Sequence, residues 1–314
     1  MSRSTWVRAV GPASLSNLGP GFDALGLCID THLDVVSVSR TDEEGVRIDE
    51  IVGLDAMIPL DSGRNTASIA AAAVLRASGE RGGFRLRIKK GIPLGSGIGG
   101  SAASAVAGAK AAAAALGLSP DGPEIIEAAL EGEAAASGAR HGDNVLPSFL
   151  GGFIATTPAD PMRYQRIQVD SPLSLALVLP VQEVLTEAAR SLLPSEVSFE
   201  SAVKNAGAAA RIVASVANGD WKALGENIMM DEIVEPVRAR LVPGFDEARR
   251  AALEAGAFGA ALSGSGPAMF AVCAHDGHAR QVAGAMADAL TRIGVDSATF
   301  VAHASNTGAV LDSK

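Results

Sequence analysis

Aromatic residues are scarce in this chain of 314 residues, since Phe, Trp and Tyr together make up only 4% of it. Hydrophobic residues nevertheless account for 48% of the sequence. That share is enough to bury a sizeable core, and it excludes disorder over most of the length. We therefore expect cores of Ala, Val, Leu and Ile, with closely packed helices where Ala and Gly dominate. The length fits two compact domains, or one large domain with an extension.

Cysteine is also rare, and long apolar runs are missing. The two cysteines, Cys28 and Cys273, stand far apart and outside any CxxC or Cys/His spacing, which excludes a disulfide framework and a zinc site. The richest apolar run, residues 111–118, is too short to cross a bilayer. Residues 1–14 lack the apolar segment of a signal peptide. We expect a cytoplasmic protein without a membrane partner, and a homodimer is compatible with the sequence.

Positive charge is in short supply, because the formal net charge is −9. Such a chain repels phosphate backbones on average, and the sequence has no segment dense in Lys and Arg to offset this repulsion. We therefore expect no nucleic-acid partner. A small anionic ligand remains open, because backbone N–H groups can hold an anion without net positive charge.

The residue patterns predict a two-domain α+β fold. Pro and Asp cluster within residues 157–171, so we place the boundary there and predict one domain over residues 1–165 and a second over residues 166–314. The final strand-strand-helix-strand order, over residues 259–302, predicts a small α+β sandwich.

Three local patterns organise the first domain. A strand is predicted over residues 5–10, followed by a loop rich in Gly, Pro and Asn over residues 11–21. Residues 84–90 alternate apolar and basic side chains, which indicates a strand with one buried face and one solvated basic face. Helices are predicted over residues 65–77 and 101–116, the second almost entirely small or apolar.

The most informative segment is the glycine loop, residues 93–103, between a predicted strand and a predicted helix. Its glycines allow several backbone N–H groups to turn toward one point at a helix N-terminus, which favours phosphate binding. A plainer interpretation is a tight turn that lets the Ala-rich helix pack closely. Four glycines and two serines exceed what a turn needs, so the sequence favours an anion site.

Two common phosphate motifs are excluded. Gly95, Gly97 and Gly100 fit the spacing of a dinucleotide fingerprint, with Asp121 about 20 residues further on. The preceding strand, however, carries Arg and Lys in alternation, whereas the first strand of such a fold is buried on both faces. A Walker A motif is excluded because no Gly-Lys-Ser/Thr closes the loop.

The glycine loop resembles the ATP loop of the GHMP kinases. Residues 262–268 resemble the C-terminal glycine motif of that superfamily, and residues 12–26 resemble its N-terminal motif in the form found in homoserine kinases. Residues 141–144 and 235–244 also match homoserine kinases, so the resemblance spans nearly the whole chain. It implies a GHMP-kinase-like fold with an N-terminal β-α-β nucleotide-binding domain and a C-terminal α+β sandwich. It also implies Mg²⁺-dependent transfer of phosphate from ATP to the side-chain hydroxyl of L-homoserine, a step of threonine biosynthesis.

The resemblance implies a set of nucleotide-binding residues. In the ATP loop these are Pro93, Leu94, Gly95, Ser96, Gly97, Ile98, Gly99, Gly100, Ser101, Ala102 and Ala103. Asn65 is an adenine-contact candidate, although helix capping explains it equally well. Where the superfamily usually has paired serines, this chain has Gly100 and Ser101, so we assign the hydroxyl contact to Ser101.

The resemblance also implies a substrate site. Without it, a structural role, in which Asn17 supports a turn and Asp23 caps a helix, has about the same weight as a binding role. With it, Asn17 orients the reacting hydroxyl and Asp23 balances an ammonium group. The other substrate-binding residues, two of them arginines suited to a carboxylate, are His141, Thr186, Arg190 and Arg238.

Metal binding and catalysis are assigned to few residues. The resemblance makes Glu133 a Mg²⁺ ligand together with Ser101, and oxygen donors suit this hard cation. Asn144 stands where some superfamily members have an Asp base, so we expect Asn17, Ser101 and Asn144 to position the reaction without a dedicated side-chain base. Two alternatives stay open: a kinase for another small alcohol, which would leave Asp23 without an ammonium partner, and a non-catalytic nucleotide-binding protein.

Overall fold

The computed structural model describes residues 5–53, 58, 60–182, 184 and 186–312. It contains helices and strands in two sheets. The strands are β1 Val7–Ser16, β2 Leu25–Thr41, β3 Gly45–Val52, β4 Gly83–Lys89, β5 Phe153–Ala155, β6 Gln165–Ile167, β7 Ser174–Pro180, β8 Gly259–Leu262, β9 Met269–Cys273, β10 Ser297–His303 and β11 Val310–Asp312.

The helices cover the sheets and lie between their strands in sequence. They are α1 Thr66–Ser78, α2 Gly100–Ala115, α3 Pro123–Ser137, α4 Gly142–Leu150, α5 Thr186–Ser191, α6 Phe199–Asn218, α7 Trp221–Ile228, α8 Glu235–Arg238, α9 Phe245–Glu254 and α10 Asp276–Thr291. A short 3₁₀ helix, Ala239–Leu241, follows α8. Among the described residues, none of the helices combines the length and apolar character needed to cross a membrane.

The first sheet has the order β11-β1-β2-β4-β3, with β5 paired to β2 and β6 paired to β5. The second sheet has the order β10-β7-β9-β8. The first sheet takes strands from both sides of residue 165, because β6 pairs with β5 and β11 pairs with β1. The predicted α+β fold is confirmed, and the boundary at residue 165 stays a prediction.

Strand β1 corrects the prediction that residues 11–21 form a loop. The strand continues to Ser16, where it pairs with Gly26 of β2, and its register shifts between Pro12 and Ser14. Turn-forming residues thus lie in a strand because a neighbouring strand pairs with them, and the irregularity accommodates Pro12. The extension carries the chain to the edge of the cleft described below.

The Ala-rich helices pack as closely as the composition predicts. A Cβ atom on Gly108 of α2 would lie 2.5 Å from the carbonyl oxygen of Ala67 in α1. Such an approach excludes any side chain larger than hydrogen at this position. Helices α1, α2 and α3 therefore cover the first sheet as one compact layer, and its core includes Phe84, Leu86 and Ile88 of β4.

The two sheets share a second core. Leu15 and Leu27 of the first sheet pack in one cluster with Leu175 and Leu177 of β7 and Ile212 of α6. All five side chains are buried, so the two halves of the chain are joined through apolar contact rather than through a flexible linker. This junction holds the N-terminal motif against the C-terminal glycine motif.

Helix α4, Gly142–Leu150, was not predicted. It contains Pro147 in its interior, a residue that argues against a helix in a sequence-based prediction, and seven of its nine residues are buried. The helix begins at the N-cap His141 and brings Asp143 and Asn144 into the cleft.

Candidate active site

A cleft of about 910 Å³ lies where the glycine loop, the N-terminal motif and the starts of α1 and α4 meet. Helices α5 and α8 close its other side through Arg190 and Arg238. The predicted site residues that line it are Asn17, Asp23, Asn65, Pro93, Leu94, Gly95, Ser96, Gly97, Gly99, Gly100, Ser101, Glu133, His141, Asn144, Arg190 and Arg238.

The remaining predicted residues lie elsewhere. The side chains of Ile98, Ala102 and Ala103 are fully buried in the two cores, which leaves the backbone as their means of contact with a nucleotide. Thr186 opens helix α5, and its side chain lies outside the described ones.

The glycine loop has the backbone geometry of an anion site. Gly95, Gly97 and Gly99 have φ angles of 60°, 83° and 70°, a left-handed conformation that glycine adopts without strain. Gly99 is also the N-cap of α2. Because a glycine cap has no side chain to bind the first N–H groups of the helix, those groups and the helix dipole can serve an anionic ligand.

The C-terminal glycine motif, residues 262–268, is hydrogen-bonded to the glycine loop. Ser263 Oγ donates to the carbonyl oxygen of Gly97 at 2.7 Å, and the N–H of Ala268 donates to the carbonyl oxygen of Ser96 at 3.0 Å. The fold therefore places the two glycine-rich motifs side by side.

The carbonyl oxygen of Gly264 joins the two sides of the cleft. It accepts hydrogen bonds from Asn17 Nδ2 and from Arg238 Nη1, both at 2.9 Å. The other end of the Asn17 amide, Oδ1, accepts the N–H of Asp23 at 3.1 Å. Asn17 thus braces the loop that carries Asp23. Asp23 does not cap a helix, because strand β2 begins two residues later at Leu25.

Four side chains form a polar chain across the cleft. Asp23 Oδ2 accepts from Arg190 Nη2 at 2.8 Å, and Arg190 Nη2 lies 2.8 Å from His141 Nε2. Because the guanidinium is a donor only, His141 Nε2 is the acceptor, and its proton is placed on Nδ1. That nitrogen lies 3.5 Å from Oε1 of Glu133, so the chain links the predicted metal ligand to the predicted substrate ligands.

The two arginines face one aromatic ring. The guanidinium carbons of Arg190 and Arg238 lie 5.5 and 4.9 Å from the ring centroid of Phe22, which is cation–π distance. In each arginine the Nε–H is buried and has no hydrogen-bond partner among the described residues. Buried donors without partners are costly, and a carboxylate in the cleft would satisfy both.

Asp143 and His141 have raised pKa values in the cleft. Burial raises the pKa of Asp143 to about 7, although the nearby His141 opposes the shift, and the charges of Asp23 and Glu133 reinforce it. For His141 burial acts to lower the pKa, but the hydrogen bond to Glu133 and the surrounding carboxylates leave it raised.

Asp143 is a site residue that the sequence interpretation missed. Its side chain is buried, and it lines the cleft beside Asn144. The available signal was its position, because it is the acidic residue of the segment 141–144 that resembles homoserine kinases.

Asn144 lies at the glycine-loop end of the cleft. Its Oδ1 accepts a hydrogen bond from Ser14 Oγ at 3.1 Å. A Cβ atom on Gly99 would lie 3.0 Å from this oxygen, so the amide touches the N-cap of α2. Asn65 caps α1, since its Oδ1 accepts the N–H groups of Ala67 and Ser68 at 3.0 and 3.3 Å. Its contact with adenine stays a prediction.

The oxygen donors fit a magnesium ion that is shared with a nucleotide. Ser101, in the first turn of α2, and the buried Glu133 line the same cleft. Among the described residues no group of three or more His, Cys, Asp or Glu could hold a metal by itself. In proteins, Mg²⁺ is typically bound by one or two protein oxygens, with water and phosphate oxygens completing the coordination shell. Ser101 and Glu133 fit this coordination.

Comparisons with known proteins show the family of the chain. Residues 65–152 match the family GHMP kinases N terminal domain, and residues 212–291 match GHMP kinases C terminal. A homoserine kinase of Pyrococcus abyssi is 44% identical over 84% of this chain and 87% of the relative. A homoserine kinase of Thermococcus kodakarensis is 43% identical over 93% of this chain and 96% of the relative.

Solved structures agree with these relatives. The crystal structure of homoserine kinase from Cytophaga hutchinsonii aligns with a TM-score of 0.92 and 36% identity over 99% of both chains. The L. major mevalonate kinase in complex with R-mevalonate, at 18% identity and a TM-score of 0.75, shares the fold. With this coverage by family and relatives alike, the chain belongs to the homoserine kinase family of the GHMP kinases.

Proposed function

We propose that the chain transfers the γ-phosphoryl group of ATP to the side-chain hydroxyl of L-homoserine, giving O-phospho-L-homoserine for threonine biosynthesis. The observation that carries this proposal is the pairing of Asp23 with Arg190 at 2.8 Å, beside Arg238. Together they present one negative and two positive charges at one end of the cleft. An amino-acid zwitterion has the complementary charges.

The charge arrangement selects among small alcohols. The carboxylate of homoserine would take the free Nε–H donors of Arg190 and Arg238, and its ammonium group would take Asp23. An acid without an amine could bind the arginines but would offer Asp23 no ammonium group in place of Arg190, and a neutral sugar would match none of the three charges. An amino alcohol supplies an opposite charge for each of the three groups, so the site favours it over mevalonate or galactose.

The opposite end of the cleft suits the nucleotide. The left-handed glycines and the N-terminus of α2 would hold the β- and γ-phosphates through backbone N–H groups. Ser101 and Glu133 would hold Mg²⁺, which when bound neutralises charge on the phosphates. Transfer between the two ends requires mainly alignment and charge stabilisation.

Two amides flank the reacting hydroxyl in this proposal. Asn17 is fixed by Gly264 and Asp23, and Asn144 is fixed by Ser14. Fixed amides can orient a hydroxyl without accepting its proton. We propose that the proton passes to a phosphate oxygen. The carboxyl group of Asp143 is the competing acceptor, and the variants argued in the Discussion separate the two routes. Cytoplasmic location and a homodimer also stay predictions.

The test is coupled ADP release with homoserine, mevalonate, galactose and serine as acceptors. We expect homoserine to have the highest kcat/KM and to yield one phosphomonoester per ADP by phosphorus NMR. A higher kcat/KM with mevalonate or galactose would assign another alcohol. ATP binding without ADP release for any acceptor would assign a non-catalytic protein.

A further inference from the structure

A buried carboxylate holds the start of the glycine loop. Asp34 of β2 has no exposed surface. Its Oδ1 accepts the N–H groups of Gly91 and Ile92 at 3.0 and 3.1 Å. These two residues connect strand β4 to the glycine loop, so the direction in which the loop leaves the sheet depends on the position of one carboxylate.

A buried ammonium group holds the end of the same loop. Lys90 is 5% exposed, and it falls on the apolar side of the alternation of strand β4, after Ile88. Its Nζ donates to Asp34 Oδ2, to Ser104 Oγ at 2.9 Å and to the carbonyl oxygen of Gly100 at 3.0 Å. Gly100 is the first residue of helix α2.

Ser104 closes the cluster. Its hydroxyl donates to Asp34 Oδ2 at 2.6 Å. The two stems of the loop, residues 90–92 and residues 100–104, are thus bound to each other through one ion pair. All three donors of Lys90 and both oxygens of Asp34 have partners, which is the condition under which a buried pair is tolerated.

Such a pair is a weak source of stability, because desolvation offsets much of the attraction between the charges. It does fix the positions of the groups that it binds, because both charges are held by several directional hydrogen bonds. The loop between the stems contains three left-handed glycines, which have little conformational preference of their own. The stems must therefore supply the order that the anion site needs.

We propose that Asp34 and Lys90 are positioning residues that set the spacing between the glycine loop and the N-terminus of α2 for nucleotide phosphates. This inference rests on the proposed nucleotide-dependent function. Lys90 lines the cleft, yet it acts through the loop, because its ammonium donors are occupied by Asp34, Ser104 and Gly100. The pair serves nucleotide binding, whereas homoserine is held by residues at the other end of the cleft.

The test uses Lys90→Met, Asp34→Asn and the double variant, which removes both charges and so leaves no unpaired buried ion. We expect the dissociation constant for a non-hydrolysable ATP analogue, measured by calorimetry, to rise about tenfold or more in each. The KM for homoserine should stay within about twofold of the parent value.

A matched control lies on helix α2, whose N-terminus the pair is proposed to position. Lys110 of α2 is also buried, and it bonds Asp121 at 2.7 Å and the carbonyl oxygen of Ala309 at 2.9 Å, away from the glycine loop. Lys110→Met should lower the melting temperature and leave the affinity for the nucleotide analogue unchanged. This control separates loss of a buried lysine from loss of loop geometry.

Three outcomes would overturn the inference. Parent-like nucleotide affinity in the double variant would show that the pair is structural, as would equal losses for nucleotide and homoserine. Tighter nucleotide binding by Asp34→Asn would show that Lys90, once released, is a direct phosphate ligand. A parent enzyme without nucleotide binding would instead contradict the proposed function, so the two failures are distinguishable.

Discussion

The carboxylate of Asp23 and the guanidinium of Arg190 are 167 residues apart in sequence and 2.8 Å apart in the cleft. One lies in the N-terminal motif and the other in helix α5. The pair has the same two charges as the zwitterion that the site is proposed to bind. The substrate's ammonium group can replace Arg190 beside Asp23, and its carboxylate can replace Asp23 beside Arg190. Binding would then exchange one ion pair for two, without leaving a charge unpaired.

Substitution of Arg190 should affect only one substrate. We expect Arg190→Leu to raise the KM for homoserine about 10- to 100-fold, the consequence of losing a charge-assisted pair with a carboxylate. The KM for ATP should be nearly unchanged. Arg238→Leu should act in the same direction, with an added loss of stability because Arg238 also binds Gly264.

Steady-state kinetics with each substrate varied in turn checks this prediction. Arg76→Leu serves as a control, since Arg76 forms an exposed pair with Glu131 and exposed pairs contribute little. Equal weakening for ATP and homoserine would mean that the arginines support the fold rather than the substrate.

Glu133 should control the requirement for magnesium. We expect Glu133→Gln to lower kcat and to raise the Mg²⁺ concentration for half-maximal activity about tenfold or more, because an amide is a poorer ligand for a hard cation. The amide oxygen can still accept from His141 Nδ1, so the polar chain to Arg190 should persist. A Mg²⁺ titration of activity, together with Mn²⁺ binding by paramagnetic resonance, measures the effect. An unaltered metal dependence would remove Glu133 from the site.

His303 should make stability depend on pH. It bridges Asp30 of the first sheet and Asp276 of α10 at 2.8 and 2.9 Å. The hydrogen bonds to Asp276 and Asp30 raise the pKa of His303 above its ordinary value of 6.5, although partial burial opposes the shift. A raised histidine pKa stabilises the folded state below pH 6.5, and this contribution is lost as the pH rises through the folded pKa.

Thermal melts of the parent protein and of His303→Gln across this pH range test the bridge. The melting-temperature difference should be largest below pH 6.5 and should shrink as the pH is raised. It should remain small throughout, because the groups are partly exposed. A difference that is constant with pH would show that the imidazole contributes through packing alone.

The roles of the predicted site residues come from the family resemblance and stay predictions, although most of these residues line one cleft. The loop glycines, the two arginines and Glu133 could be singled out because the resemblance assigns each of them a role. Asp143 and Lys90 could not, since their roles come from burial, which tertiary contacts create. For the same reason the prediction ends strand β1 at residue 10, whereas the strand continues to Ser16. Its pairing partners lie in β2, and local turn propensities do not report such contacts.

Asn144→Asp distinguishes two accounts of proton transfer. If Asn144 only orients the reacting groups, the new carboxylate adds negative charge near the phosphates and lowers activity. If the site merely lacks a proton acceptor, the same change supplies one and activity rises. We expect kcat to fall about tenfold or more, because charge stabilisation dominates phosphoryl transfer. A kcat for homoserine above that of the parent enzyme at neutral pH would contradict the base-free mechanism.

Asp143→Asn completes that test, because Asp143 is the other carboxyl group in reach. Burial raises the pKa of Asp143 to about 7, so as a base it would make kcat rise with pH through that value. In the base-free mechanism the pH profile of kcat keeps its shape in Asp143→Asn.

Stability gives an independent readout, since a carboxyl whose pKa rises from 3.8 to about 7 on folding costs stability as the pH increases between these values. We expect Asp143→Asn to lose this pH dependence of stability and to retain the parent pH profile of kcat. Loss of the kcat dependence near pH 7 would instead identify Asp143 as the base.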